Sequence, residues 1–319
     1  MNRPVAAAAA PPLPTTPSAS AAEPTGPLPG RSGVPRVALV LLAVLTLLWG
    51  TNWPLFPLAV REVSVWTFRA LSSLGAGLAL LAVARWRGLP MAIPRRHWPT
   101  VAVATFCYLV VWNVASTYAA VMIPSGQAAV LGFTMPLWAA LIGWAALGQP
   151  MSARLMLALV FGAASVGLLA WRGMQAYAQA PLGVALALTA ALGWALGTVI
   201  LKRGAVAVPA LVLTGWQLLG TSVPIGAVAL VLGDGAWFWP TWPSVLVIAY
   251  ITLVPRAIGN YCWFSIVGML PAPVAGLSSI MVPVVAMLSG ALIHGEPLGP
   301  VQFGAMACSG VALWLALRR

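Results

Sequence analysis

Ten apolar stretches, each close to the roughly 20 helical residues that cross a bilayer's hydrocarbon core, follow one another from residue 37 to residue 317. They cover 37–57, 64–83, 98–118, 125–146, 153–171, 182–201, 209–232, 244–267, 272–293 and 300–317, spans 1 to 10 in chain order. Turn-forming clusters separate them, among them Arg87-Gly88-Leu89-Pro90, Gly148-Gln149-Pro150, Gly233-Asp234-Gly235 and Gly295-Glu296-Pro297. The expected fold class is all-α: a polytopic membrane protein with ten transmembrane helices.

Composition points the same way. Apolar residues make up 61% of the 319, and charged residues 6%, against roughly 25% charged in a soluble domain. Only Glu23, Glu62, Asp234 and Glu296 are acidic, too few to solvate a soluble surface of this size. This excludes a cytosolic enzyme, a disordered protein and a secreted disulfide scaffold. The net charge of +12 would suggest nucleic acid in a soluble chain, but the basic residues are too scattered to track phosphates, so no nucleic-acid partner is expected. Cys107, Cys262 and Cys308 fall inside apolar stretches without a CxxC and read as small core thiols. His97 and His294 lie at span edges with no acidic cluster nearby, so neither a metal site nor a cofactor is expected.

Residues 1–36 carry nine prolines and read as a disordered cytoplasmic tail, because prolines end the short alanine run before it reaches signal-peptide length. Lysine and arginine then orient the spans. With the N-terminus inside, twelve basic residues fall on the cytoplasmic side, including Arg85, Arg87, Arg95, Arg96, Lys202 and Arg203. Two, Arg61 and Arg172, fall outside, and Arg69 and Arg256 lie within spans. Both termini are therefore expected in the cytoplasm.

The chain also matches itself without a gap at an offset of 147, residues 105–150 onto 252–297. Asn113 meets Asn260, Pro124 meets Pro271, Pro136 meets Pro283, and Gly148-Gln149-Pro150 meets Gly295-Glu296-Pro297. Shared prolines and glycines weigh more than shared alanines, because they set backbone shape. Span 3 aligns with span 8 and span 4 with span 9, so each repeat has five spans. An odd number inverts the second copy in the membrane, a recurrent construction of secondary transporters with a midplane site between the halves.

Ten helices in two inverted five-helix repeats resemble the drug/metabolite transporter superfamily, and its EamA-type branch in particular. Span 1 ends in Leu48-Trp49-Gly50-Thr51-Asn52-Trp53-Pro54, similar to the family's Trp-Gly-Ser/Thr-Asn opening. Arg69 stands just inside the start of span 2, spans 4 and 9 each hold a mid-helix proline before a Gly-Glu-type turn, and span 6 carries Trp194-Ala195. The likeness covers 37–317, with 37–171 and 182–317 as the two repeats. Gln149 departs from the family's usual glutamate, which only Glu296 keeps. The resemblance implies a bacterial inner-membrane exporter of amino acids, aromatic ones included, or related metabolites; other members move nucleotide sugars or sugar phosphates.

Arg256 is the sharpest candidate site residue. It follows Pro255 near the centre of span 8, where a charge costs at least about 2.5–3.5 kcal/mol and must face a cavity or a partner. It either anchors a substrate carboxylate or is held by a structural partner, a carboxylate of the chain or a backbone carbonyl. Thr252, Arg256, Asn260 and Trp263 follow at helical spacing along one stripe of span 8. Span 3 offers Tyr108 and Trp112 on a comparable stripe, with Asn113 adjacent. Such stripes either line a pathway or hydrogen-bond between helices. Trp49, Asn52 and Trp194 complete the expected substrate-binding set, the tryptophans offering stacking surface for an aromatic or large apolar side chain. Arg69 is read as snorkelling outward, pairing with Glu62, or lining the pathway.

No acidic residue lies deep in any span, so proton antiport through a buried carboxylate has no relay. An intramembrane enzyme would need a clustered nucleophile, base or metal set, and a channel a continuous polar ring. The expectation is a carrier rather than an enzyme, monomeric or weakly dimeric, whose partners are a small-molecule substrate and the lipid bilayer.

Overall fold

Backbone groups that lipid cannot satisfy must be paired within their own segment, and the computed structural model shows the result. It describes residues 35–317, apart from 124, 149, 233–239, 271–273, 276–278 and 295–297, and every regular element among them is helical. In chain order these are α1 (Arg36–Asn52), α2 (Phe56–Ala59), α3 (Val65–Trp86), α4 (Trp98–Thr105), α5 (Val111–Met122), α6 (Ser125–Gly132), α7 (Met135–Leu147), α8 (Ala153–Gln179), α9 (Pro181–Arg203) and α10 (Ala210–Leu232). They continue with α11 (Trp242–Ile251), α12 (Gly259–Met269), α13 (Val282–His294) and α14 (Pro300–Leu317). A π-helical segment, Phe106–Val110, joins α4 to α5, and another, Thr252–Ile258, joins α11 to α12. Among the described residues, eight helices are long and apolar enough to cross a membrane, and two shorter apolar helices, Ser279–Ile293 and Pro300–Ala316, accompany them.

Several expected boundaries move, each for a local reason. Span 1 does not run as one helix to residue 57: α1 ends at Asn52, and Pro54 turns Trp53–Leu55 into a 3-10 segment. Span 4 is two helices, because Pro136 has no N–H to give and sits at the start of α7. Span 5 extends past 171 to Gln179, since no helix breaker intervenes before Ala180-Pro181. The turn at Gly88 holds, at φ +67°, and Gly148 caps α7 in the left-handed region at φ +59°. The turns expected at 233–235 and 295–297, and Gln149 with its counterpart Glu296, lie outside the described residues.

Elements separated by 147 residues share their local form. α7 and α13 begin and end 147 residues apart, each with its proline second in the helix. The extended residues closing α5 and α12, Ile123 and Leu270, have ψ angles of 157° and 152°. Packing follows the same exchange: α3 lies along α10 and α8 along α14, while α9 packs on α5 and α7 as α1 packs on α12 and α13.

Small residues set how closely these helices approach. A Cβ on Gly77 of α3 would stand 2.9 Å from the Leu219 amide nitrogen and 3.0 Å from the Gly215 carbonyl oxygen of α10. Without a hydrophobic drive between helices in lipid, such backbone contact supplies the packing energy. Outward-facing Leu230, Val231 and Leu292 remain exposed, the apolar surface that a bilayer covers. At one end of the bundle, Glu62, between α2 and α3, accepts hydrogen bonds at 3.0 Å from the backbone N–H and hydroxyl of Thr241, just before α11.

Gly77→Ala is expected to destabilise the protein by about 1–3 kcal/mol through overpacking. Thermal unfolding in detergent checks this against Gly167→Ala, whose new methyl would meet nothing within 4 Å and should be neutral or mildly stabilising. The hydrogen bonds from Ser244 and Thr241 hold the exposed Glu62 carboxyl below its ordinary pKa of 4.5. Its contribution is therefore complete above pH 4.5 and fades as pH falls through the lowered value. The Tm of wild type should exceed that of Glu62→Gln above that pH, and the gap should close on further acidification.

Candidate functional site

Pro255 shapes the centre of the molecule. Lacking an N–H, it cannot continue the α-helical pattern, and span 8 passes through the site as a π-helical turn in which the Gly259 N–H donates to the Val254 and Arg256 carbonyls. Carbonyls of this turn are taken up by side chains. Trp49 Nε1 donates to the Pro255 oxygen at 3.1 Å, and Asn260 Nδ2 donates to the Arg256 oxygen at 2.7 Å. Span 3 repeats the device 147 residues earlier, where Asn113 Nδ2 donates to the Leu109 oxygen at 2.6 Å. Arg256 thus stands where the other half has Leu109.

The Arg256 side chain is 6% exposed. Its terminal nitrogens donate to Ser73 Oγ of α3 at 3.1 Å and Asn113 Oδ1 of α5 at 2.7 Å, while Nε has no hydrogen-bond partner among the described residues. Neither expected structural partner, a carboxylate or a backbone carbonyl, holds its guanidinium: a hydroxyl and an amide do. Arg69 is 2% exposed, so the snorkelling expectation fails, and so does the pairing with Glu62, whose carboxylate is bound at Thr241. Instead, Arg69 Nε donates to Thr117 Oγ1 at 2.6 Å, its guanidinium lies 4.4 Å from the Phe56 ring centre, and one terminal nitrogen is unpartnered among the described residues. The cause is Phe56 in α2, which folds over the start of α3 and shields the charge from water.

These two arginines line one cavity of about 50 Å³. Its wall includes eight of the eleven expected site residues: Trp49, Asn52, Arg69, Trp112, Asn113, Trp194, Arg256 and Asn260. Trp263 stands one layer behind, its ring centre 5.7 Å from Trp49 and 5.5 Å from Trp194. Tyr108 is also a backing residue, fully buried against Trp194 and Phe264 with its hydroxyl donating to Gln217. Thr252 turns away: its hydroxyl donates to the Ile248 carbonyl and its methyl faces Gly75 of α3. The π-helical turn explains both departures from the stripe, because it shifts the angular spacing that α-helical periodicity assumes.

The wall also holds Trp53, Phe56 and Phe133, and Ser73 and Thr117 support the arginines from behind. Phe56 and Phe133 carry no pattern of their own; they arrive through the proline breaks at Pro54 and Pro136, which were the available signal. Trp194 is the hub of the aromatic wall, its ring centre 4.9 Å from Trp112 and 5.3 Å from Trp49, edge-on to both. Asn52 Oδ1 and Asn260 Oδ1 are buried acceptors without a donor, and Trp194 Nε1 a donor without an acceptor, among the described residues. The site therefore offers cationic donors, neutral acceptors and aromatic faces together. Removing the Trp49 hydrogen bond while keeping an aromatic ring, as Trp49→Phe, leaves the Pro255 carbonyl short of a donor and should cost about 1–3 kcal/mol, read as a lower Tm in detergent.

Comparison with known proteins places this geometry. The EamA-like transporter family matches over residues 36–171 and again over 181–318. The chain is 28% identical to an uncharacterized transporter of Bacillus subtilis, YvbV, over 82% of this chain and 85% of that one. It is 25% identical to an uncharacterized inner membrane transporter of Escherichia coli, YedA, over 83% and 85%. A probable amino-acid metabolite efflux pump of E. coli is 23% identical over 83% of this chain and 89% of its own. One crystal structure shares the fold, with a TM-score of 0.73 over 89% of this chain and 99% of the other at 22% identity. This chain belongs to the EamA-like transporter family of the drug/metabolite transporter superfamily, and is a multi-pass membrane transporter.

Proposed function

We propose that the protein is a secondary transporter that exports amino acids, aromatic or large apolar ones above all, by alternating access between inverted five-helix repeats at 37–171 and 182–317. The observation that carries this reading is Arg256: a buried guanidinium, its Nε unpartnered among the described residues, on a tryptophan-walled cavity at the junction of helices from both halves. A carboxylate accepts from that guanidinium, an α-ammonium donates to Asn52 Oδ1 or Asn260 Oδ1, and the side chain stacks on the Trp49–Trp194–Trp112 wall. At about 50 Å³ the cavity is far below the roughly 300–1,000 Å³ of a small-molecule site. Admitting substrate therefore requires the two halves to part, as alternating access demands.

The paired π-helical segments, the matched bounds of α7 and α13 and the exchange-related packing support the repeat, as does a family match in each half. Both termini are assigned to the cytoplasmic side of the inner membrane, on the strength of the twelve-to-two basic asymmetry. That topology puts the loops before spans 2 and 8 on one face, in keeping with the Glu62–Thr241 contact. An efflux pump for amino-acid metabolites among the relatives supports the substrate class. A second reading, a carrier of sugar phosphates or nucleotide sugars, is favoured by one observation: Arg69 adds a second guanidinium to the same wall.

Uptake of labelled solutes into proteoliposomes tests the reading. Wild type should saturably move aromatic or large apolar amino acids and show counterflow, and Arg256→Ala should lose at least about tenfold, more than 1.4 kcal/mol. Transport of phosphorylated sugars but no amino acids would favour the second reading. Unchanged transport by Arg256→Ala would remove the carboxylate anchor.

A further inference from the structure

Two buried cations in one cavity need compensation. Burying a charge is tolerated where it is paired or fully hydrogen-bonded, and among the described residues neither arginine meets a carboxylate. Glu62 is the single acidic residue among the described residues, and it is committed to Thr241 at the end of the bundle.

The arginines also share one hydrogen-bond network. Arg256 donates to Ser73 Oγ, which itself donates to the Arg69 carbonyl at 2.7 Å. Arg256 donates as well to Asn113 Oδ1, and the Asn113 carbonyl accepts from Thr117 Oγ1, which takes the Arg69 Nε hydrogen bond. Every acceptor in that network is neutral, as are the Phe56 and Phe68 rings beside Arg69. The network orients two positive charges without cancelling either, and each guanidinium keeps one nitrogen unpartnered among the described residues. A cavity of about 50 Å³ has room for a few waters or a compact ion, and not for an organic molecule.

We propose that Arg69 and Arg256 form a binding site for a small monovalent inorganic anion of halide size, occupied when no organic substrate is bound. When a substrate carboxylate takes Arg256, Arg69 still requires an anion, so anion binding and transport are coupled. This supplies a coupling species in a chain whose spans lack the carboxylate that proton exchange uses. The site rests on the central cavity, and not on the identity of the organic substrate.

The test uses the purified full chain in detergent without any organic substrate. Its thermal unfolding is followed as sodium chloride or bromide replaces sodium gluconate at constant ionic strength. Halides should raise Tm saturably where gluconate does not. Arg69→Gln should weaken the apparent halide affinity at least tenfold, while Arg69→Lys should keep it. Thr117→Asp, which builds a carboxylate beside Arg69, should also weaken the halide effect as Arg69→Gln does, and it serves if Arg69→Gln does not fold. Identical wild-type curves in chloride and gluconate would overturn the proposal. So would unchanged halide affinity in Arg69→Gln, or stabilisation by organic dicarboxylates alone, which would put the second negative charge on the substrate. None of these readouts involves amino-acid transport, so this site can fail while the amino-acid reading stands, and the reverse.

Discussion

The architecture turns on an uncancelled positive charge at the centre of an apolar bundle. Arg256 is held by one hydroxyl from α3 and one amide from α5, so two neighbouring helices must be in place before its guanidinium has any partner. A charge buried with nothing around it would unfold the segment that carries it. Its dependence on Ser73 and Asn113 therefore ties the packing of α3 and span 3 to the existence of the site. Stability and the candidate site share the same hydrogen bonds.

Proline is the second constraint. Pro54, Pro136 and Pro255 each deny an N–H to a helix in lipid, and each break is repaired by a different means. After Pro54 the chain tightens into a 3-10 segment and delivers Phe56 over Arg69. Pro136 sits in the first turn of α7, where its missing donor has no partner to lose, and the break before it leaves Phe133 in the cavity wall. At Pro255 a π-helical turn forms, and Trp49 and Asn260 claim its carbonyls. Irregular backbone inside a membrane is tolerated where it is buried in protein or lines a cavity, and all three breaks do so. Glycine makes the complementary contribution: Gly259 gives the Trp49 indole its place against the turn, where an added Cβ would sit 2.5 Å from Nε1.

Much of this was legible in residue order, and each departure has its own local cause. Eight of eleven expected site residues line the cavity because their chemistry is out of place in an apolar helix, which a sequence displays directly. Tyr108, Thr252 and Trp263 were placed on the wall by counting 3.6 residues per turn through segments that are π-helical. Arg69 was judged by its distance from the span end, a measure that ignores Phe56 folding across it. Ser73 and Thr117 carry no signal in the sequence, since a hydroxyl in a membrane helix commonly bonds its own backbone. Ser73 does so while also accepting from Arg256.

By itself the sequence determined that the chain is a multi-pass bundle and that the second segment echoes the first. Apolar length, proline and the 147-residue offset are properties of chain order, and lipid leaves the backbone few other solutions. Only the tertiary structure decided that Arg69 and Arg256 open onto one cavity, that neutral groups alone hold them among the described residues, and that the cavity is small. Those facts depend on which side chains from distant helices meet, as Ser73 and Arg256 do across 183 residues of chain. No local pattern encodes such a meeting, because it is set by how closely small residues let the helices pack.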